Sequence, residues 1–115
     1  MNTQSILLVE DNPDDIALML HALNDNRIAN PVVVAEDGEQ ALQTLFGTNE
    51  QAESGAPALI LLDLNLPKRN GLEVLRELRN HPNTRLVPVV ILTSSLEPSD
   101  RLNAYQAGAN SYLRK

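Results

Sequence analysis

Three apolar runs without polar interruption constrain this chain more than any other feature. Ala58-Leu59-Ile60-Leu61-Leu62 runs into Asp63, Ser5-Ile6-Leu7-Leu8-Val9 runs into Glu10-Asp11, and Val87-Pro88-Val89-Val90-Ile91-Leu92 runs into Thr93-Ser94. A strand with one wet face alternates apolar and polar side chains. A run without alternation fits a strand buried on both faces, as in a parallel sheet covered by helices. Polar residues where such strands stop lie at their carboxyl ends, where open α/β sheets place their ligands. If the three strands are parallel neighbours, three carboxylates and two hydroxyls converge at one rim. Such a cluster suits a divalent cation and a phosphoryl group.

Asp63 stands apart within that rim, because Asp disfavours strand interiors and gains little there without a partner. Glu10 and Asp11 admit a plainer reading as the acidic lead-in to a helix N-terminus. Magnesium prefers a few carboxylates together with waters and phosphate oxygens. Asp11 and Asp63 each offer one oxygen, and a carbonyl in the turn after Asp63 offers a third. Without a cation, three close carboxylates repel, which raises their pKa values and destabilises the apo fold. A carboxylate beside magnesium can attack phosphorus and form an acyl phosphate, while the metal neutralises and orients the phosphoryl oxygens. A hydroxyl at the next strand end, Thr93, can bond one phosphoryl oxygen, and a cation at the fifth strand end, Lys115, can pair with another. Neither means much alone; the set of four strand ends carries the argument.

The rest of the chain alternates strand and helix patterns, the sign of an α/β fold. Asn12-Pro13-Asp14-Asp15 predicts a helix start, with Asn12 as cap, Pro13 in the first turn and acids favoured by the dipole. Ile16, Met19, Leu20 and Leu23 give that helix one apolar face. Pro31 to Ala35 predicts a second strand, and Ala41, Leu42, Leu45 and Phe46 a second helix ending near Gly47. Asp37-Gly38 reads as turn chemistry. The polar stretch from Gly47 to Pro57 predicts a surface loop. A turn through Pro67 and Gly71 leads to a third helix lined by Val74, Leu75 and Leu78, with Pro82 beyond it as a stop signal. A fourth, weaker helix covers roughly Pro98 to Ala107 and stops at Gly108, and Ser111-Tyr112-Leu113 predicts a short fifth strand. No internal repeat or second domain is visible, so residues 1–115 read as one domain. A doubly wound sheet normally adds a helix after its last strand, and none follows Lys115 here. The expectation is a trimmed chain rather than a face covered by another molecule, since exposed apolar patches are rare on soluble monomers.

Composition removes several function classes. No run is long enough to cross a bilayer, and the first strand starts too early for a signal peptide. The absence of cysteine excludes a disulfide scaffold and thiolate zinc sites and fits a reducing, cytoplasmic setting. A formal net charge of -6 argues against direct nucleic-acid binding, and 3% aromatic residues supply no stacking platform for bases. His21 and His81 lie in or beside helices, away from the strand ends, and read as surface histidines. Met19 reads as core. Lys68 and Arg69 sit in the turn beside Asp63, where a solvated turn is the plainer reading than steering of a phosphodonor.

Taken together, Ile-Leu-Leu-Val-Glu-Asp near the start, Leu-Leu-Asp-Leu-Asn-Leu-Pro-Lys-Arg-Asn-Gly around Asp63, Val-Val-Ile-Leu-Thr-Ser, and Ala-Gly-Ala-Asn-Ser-Tyr-Leu-Arg-Lys are similar, in order and over nearly the whole chain, to the receiver domain of bacterial two-component response regulators. The resemblance implies a flavodoxin-like (CheY-like) doubly wound sheet of five parallel strands in the order 2-1-3-4-5. It implies Asp63 as phosphoacceptor. It implies magnesium ligated by Asp11, Asp63 and the Asn65 main-chain carbonyl, with Glu10 helping through water. Thr93 and Lys115 are then the phosphoryl contacts, and Tyr112 is the aromatic that turns inward when the threonine moves. The first acid is Glu rather than Asp, a variation the family tolerates. Glu-Asp-Asn-Pro-Asp-Asp and Asp-Leu-Asn-Leu-Pro-Lys resemble, more narrowly, stand-alone receivers that serve phytochrome-type sensor histidine kinases. The implied partner is therefore such a kinase or a histidine phosphotransfer protein. The family's proline after the lysine and its fifth helix are absent, which puts signalling through that helix in doubt and leaves a homodimer open.

Three other functions compete. An aspartyl-nucleophile phosphatase usually wants a second acid two residues after the nucleophile, where Asn65 stands. A flavin or dinucleotide module wants a Gly-rich turn after the first strand, where Glu10-Asp11 would repel phosphate. A phosphorylation-independent binding module fits only if magnesium fails to bind.

Overall fold

The computed structural model describes residues 4–47, 56–67, 70–94 and 97–115. Five strands, β1 (Ile6–Val9), β2 (Val32–Ala35), β3 (Leu59–Asp63), β4 (Val89–Thr93) and β5 (Ser111–Arg114), form one sheet in the order β2-β1-β3-β4-β5. Every neighbouring pair is parallel. The uninterrupted apolar runs became the inner strands. Every residue of β1 is buried, as are four of the five in both β3 and β4, whereas the edge strands β2 and β5 are mostly half-buried or exposed. The expected strands are one or two residues longer at their amino ends than the observed ones, because Ser5, Pro31, Ala58, Val87 and Pro88 lead into the ladder without belonging to it.

Among the described residues four helices connect the strands: α1 (Pro13–Asp25), α2 (Gly38–Phe46), α3 (Gly71–Asn80) and α4 (Pro98–Gln106). One sheet face, with Leu7, Val9, Ile60, Leu62, Val89 and Ile91, packs against Ala41 of α2, Val74, Leu75 and Leu78 of α3, and Ala104 of α4. The other face, with Ile6, Leu8, Leu61 and Leu92, receives Ile16, Met19 and Leu23 of α1. Leu20 belongs to neither cluster and is 38% exposed. It was expected on the apolar face, but it sits at the solvent margin of that face, one step round from Ile16.

Each of the first three helices starts on a side-chain cap. The Asn12 side chain accepts from the Asp14 and Asp15 amides, as the sequence predicts. Asp37, expected only in a turn, caps α2 by accepting from the Gln40 amide at 2.8 Å. Asn70 caps α3, so Gly71 is the first residue of the helix rather than part of the turn before it. A Cβ on Gly71 would lie 2.4 Å from the Asp63 carbonyl oxygen. Only glycine lets the α3 start close on the end of β3. Gly108, with φ at 111°, ends α4 in the left-handed region where glycine is favoured. The expected loop from Gly47 to Pro57 lies largely outside the described residues.

Candidate functional site

The sheet register assembles the rim. Asp63 is the last residue of β3 and is only 4% exposed. Val9 pairs with Leu62, so Glu10 leaves β1 beside Asp63. Asp63 pairs with Leu92, so Thr93 follows one step on, and Thr93 pairs with Arg114, which places Lys115 just beyond β5. The Lys115 amide donates to the Thr93 carbonyl at 2.8 Å. Adjacent parallel strands thus turn four distant sequence positions into one pocket, as expected at the carboxyl end of such a sheet.

Glu10, Asp11 and Asp63 each offer a carboxylate oxygen, and these oxygens lie within 4.8 Å of one another. Glu10 and Asp63 are buried and Asp11 is exposed, which gives an all-oxygen donor set with one side open to solvent. That is the composition a hard divalent cation such as magnesium takes, with waters or phosphate oxygens completing the shell. Burial pushes the Glu10 carboxyl above its ordinary range, and the charge of Asp63 adds to the rise, against hydrogen bonds from Lys115 and the Asn12 amide.

Lys115 crosses the end of β4 to reach this cluster. Its ammonium stands 2.5 Å from Glu10 Oε2, 3.0 Å from Asp15 Oδ2 and 3.1 Å from Asp63 Oδ2. Burial opposes its charge, but hydrogen bonds to Glu10, Asp15 and Asp63 outweigh that and hold Lys115 above the ordinary lysine range. The other Asp63 oxygen, Oδ1, accepts from the Asn65 amide at 3.1 Å. Asn65 itself is exposed in the turn after β3, and its amide lies against the carboxylate. Thr93 is fully buried.

Tyr112 is half-buried and packs on the main core. Its hydroxyl is buried and finds no hydrogen-bond partner among the described residues. Its ring centroid is 6.5 Å from that of Tyr105, and the Arg101 guanidinium carbon is 5.9 Å from it. The ring therefore already lies inward.

Sequence reasoning brought together Glu10, Asp11, Asp63, Asn65, Thr93 and Lys115, but it missed Asp15, which it read only as a favourable charge on the helix dipole. The available signal was its place three residues after the Asn12 cap, in a helix that starts at the acidic rim. His21 is exposed, 3.1 Å from Asp25, as expected of a surface histidine. His81 is less exposed than expected. It stacks on Phe46 with centroids 4.1 Å apart, and its Nδ1 accepts from the Asn83 amide at 3.2 Å. Lys68 and Arg69 lie outside the described residues. No described helix is long and apolar enough to cross a membrane.

Known proteins share this arrangement. The family model for the response regulator receiver domain matches residues 6–115. The response regulator Rcp1 of Synechocystis sp. is 41% identical over 110 residues, covering 96% of this chain and 75% of that protein. Its Mn2+-bound crystal structure superposes with a TM-score of 0.89 over 97% of this chain and 81% of that one, at 40% identity. The phosphorylated cyanobacterial phytochrome response regulator RcpA gives a TM-score of 0.90 at 40% identity over 99% of this chain and 81% of that one. The bacteriophytochrome response regulator AtBRR gives 0.88 at 46% identity over 100% of this chain and 84% of that one.

Proposed function

The chain belongs to the response regulator receiver family, and on that premise we propose that Asp63 accepts a phosphoryl group from a histidine kinase and that the domain signals by changing conformation. One observation carries the reading. A carboxylate buried at the end of a central strand, Asp63, lies within ion-pair distance of a lysine and within 4.8 Å of two further carboxylates. A carboxylate held there is costly unless it has work to do.

In this reading one Asp63 oxygen attacks phosphorus. The new O–P bond forms as the bond from phosphorus to the donor's imidazole nitrogen breaks, and the electron pair leaves on that nitrogen. Asp11 and Asp63, with the Asn65 carbonyl and Glu10 assisting, would hold magnesium, which when bound would supply charge neutralisation and orientation for the phosphoryl oxygens. Lys115 turns one N–H donor from the Asp63 carboxylate towards a phosphoryl oxygen, and Thr93 donates its hydroxyl to another. The domain is thus a signalling switch that assists its own phosphorylation and slow dephosphorylation, not an enzyme acting on a separate substrate.

The response is a population shift between two packings around Thr93 and Tyr112, passed to the surface formed by α4 and β5. The Tyr112 hydroxyl, buried without a hydrogen-bond partner among the described residues, supports this, because the ring gives up no such bond in moving to a second packing. The relatives that carry phytochrome in their names support a phytochrome-type sensor kinase as donor, working in the cytoplasm. Acetyl phosphate with magnesium should add one phosphoryl group, read by intact-protein mass, and Asp63→Asn should abolish the addition. Undiminished labelling of that variant would overturn the assignment. Thr93→Ala should still label, yet lose the amide NMR shifts that beryllofluoride with magnesium induces in α4 and β5.

A further inference from the structure

An ammonium has three N–H donors and no acceptor. Lys115 meets three carboxylates, and they differ in kind. Glu10 and Asp63 belong to the acidic group that offers oxygens to a cation, whereas Asp15 does not. Asp15 comes from the first turn of α1 and is 36% exposed at its side chain. Its backbone is fixed, since its amide donates to Asn12 Oδ1 at 3.1 Å, and Asn12 directly follows Asp11. Glu10, Asp15 and Lys115 also line, with apolar Leu8, Leu18, Met19 and Leu92, a cavity of about 230 Å³. Those apolar walls give the ammonium no competing partner, so the carboxylates alone fix its position.

We propose that Asp15 is a positioning residue, which ties the Lys115 ammonium to the start of α1 and holds it at the mouth of the Asp63 pocket. The inference rests on the phosphoacceptor reading and adds a residue to it. When Asp63 becomes an acyl phosphate, its own charged oxygen is lost to Lys115, and the ammonium must turn one donor towards a phosphoryl oxygen. Glu10 alone would draw the side chain into the cation group. Asp15 holds it from α1, through a capped helix turn, and keeps one N–H directed at the incoming group. The same bridge makes the position of the α1 start depend on what occupies Asp63.

A cycle of four proteins tests this: wild type, Asp15→Ala, Lys115→Met and the double variant, each labelled by acetyl phosphate with saturating magnesium. Asp15→Ala should slow labelling roughly tenfold where Lys115 is present and have no slowing effect where it is absent. Magnesium affinity, followed separately by titration, should stay within about twofold in Asp15→Ala, because Asp15 is not among the cation-facing oxygens. If Asp15 acts only as a negative charge near the pocket, its removal speeds labelling in both backgrounds, and the proposal falls. If magnesium affinity drops tenfold, Asp15 is a ligand and the proposal falls as well. Should Lys115→Met label too slowly for a rate, the Lys115 ammonium signal in 1H–15N NMR decides. It should be sharp in wild type, broadened in Asp15→Ala and restored in Asp15→Glu, and an unchanged signal overturns the inference. Failure of wild type itself to label strikes the phosphoacceptor reading instead, so the two failures stay distinct.

Discussion

At the carboxyl rim of the sheet Lys115 gathers the carboxylates of Glu10, Asp15 and Asp63, with Asp11 beside them. At the amino rim Arg79 gathers oxygens that carry no net charge. Its Nε donates to the Gly108 carbonyl at 2.9 Å, its Nη1 to the carbonyls of Thr84, Arg85 and Val87, and its Nη2 to Asn110 Oδ1. Asn110 Oδ1 also accepts from the Val89 amide at 2.9 Å. One guanidinium therefore fastens the end of α3 to the segments that enter β4 and β5. Arg suits this task because its planar fork presents five donors in fixed directions. The two rims differ in satisfaction. Arg79 has a partner for each of its nitrogens, and its burial lowers its pKa without threatening its charge. Lys115 faces more negative charge than it can neutralise. The amino rim is finished by the chain itself, whereas the carboxyl rim keeps an acidic group that suits a cation. On the proposed function, stability and function are thus placed at opposite ends of the same strands.

That contrast can be broken at several points. The largest stability effect should come from Arg79→Met, which removes the guanidinium from four carbonyls and an amide oxygen, of which only the Thr84 carbonyl and Asn110 Oδ1 keep a backbone amide donor. The expected loss is about 2–4 kcal/mol, read by urea denaturation. Because the carboxyl rim is untouched, the folded fraction should still take one phosphoryl group. A loss below about 0.5 kcal/mol, the scatter of ordinary surface substitutions, would show that the clamp is ornamental and the rims are not divided in this way.

Magnesium should act in the opposite sense at the other rim. A ligand that binds only the native state stabilises by about 2.7 kcal/mol at a hundredfold excess over its dissociation constant. Thermal melts across a magnesium titration should rise accordingly in wild type and stay flat in Asp11→Asn. The apo Asp11→Asn protein should also melt above apo wild type, since one repelling charge is gone. Equal apo melting temperatures would mean that the rim is less strained than its geometry says.

Gly71→Ala sharpens the comparison, because Gly71 lies where α3 meets the end of β3. A Cβ there meets backbone, the Asp63 carbonyl at 2.4 Å, whereas a Cβ on Gly108 meets the Arg79 side chain, 2.8 Å from its Cγ. Gly71→Ala should cost about 1–3 kcal/mol as an overpacking change and displace Asp63, so labelling should slow along with stability. Wild-type labelling in a destabilised Gly71→Ala protein would show that the strand end does not need this close approach.

The smallest effect should be a pH slope. The folded Glu10 carboxyl lies above its ordinary value of 4.5. Between that value and its folded value the native protein keeps a proton that the unfolded chain has released. The Glu10 contribution is therefore most favourable at low pH and declines as pH rises through this window. Denaturation midpoints from pH 4.5 to 7 should move in favour of Glu10→Gln relative to wild type as pH rises. Lys115 works in the same sense but at far higher pH. Its raised pKa keeps its pairing intact below its ordinary 10.5 and weakens it only as pH rises through the higher folded value. It adds no slope near neutrality.

Much of this was legible before any coordinates. Asp63, Glu10, Asp11 and Thr93 are marked because each ends an apolar run, and run length and residue type are local properties of the chain. Helix starts were legible where the cap is a short polar side chain before a proline, as at Asn12-Pro13. They were less so at Asp37 and Asn70, where the following glycine imitates a turn. Leu20 was misplaced because a helical wheel shows which residues share a stripe but not how wide a stripe the sheet covers.

Sequence alone determined which residue types stand at each strand end, and with them the chemistry available to the rim. Tertiary structure decided which long side chains cross between elements. Lys115 spans from β5 to the ends of β1 and β3 and to α1, and Arg79 spans from α3 to the segments before β4 and β5. A flexible cation carries no periodicity and no steric signature. Its partner is chosen by burial and by the geometry of unsatisfied oxygens, which exist only once the strands are in register.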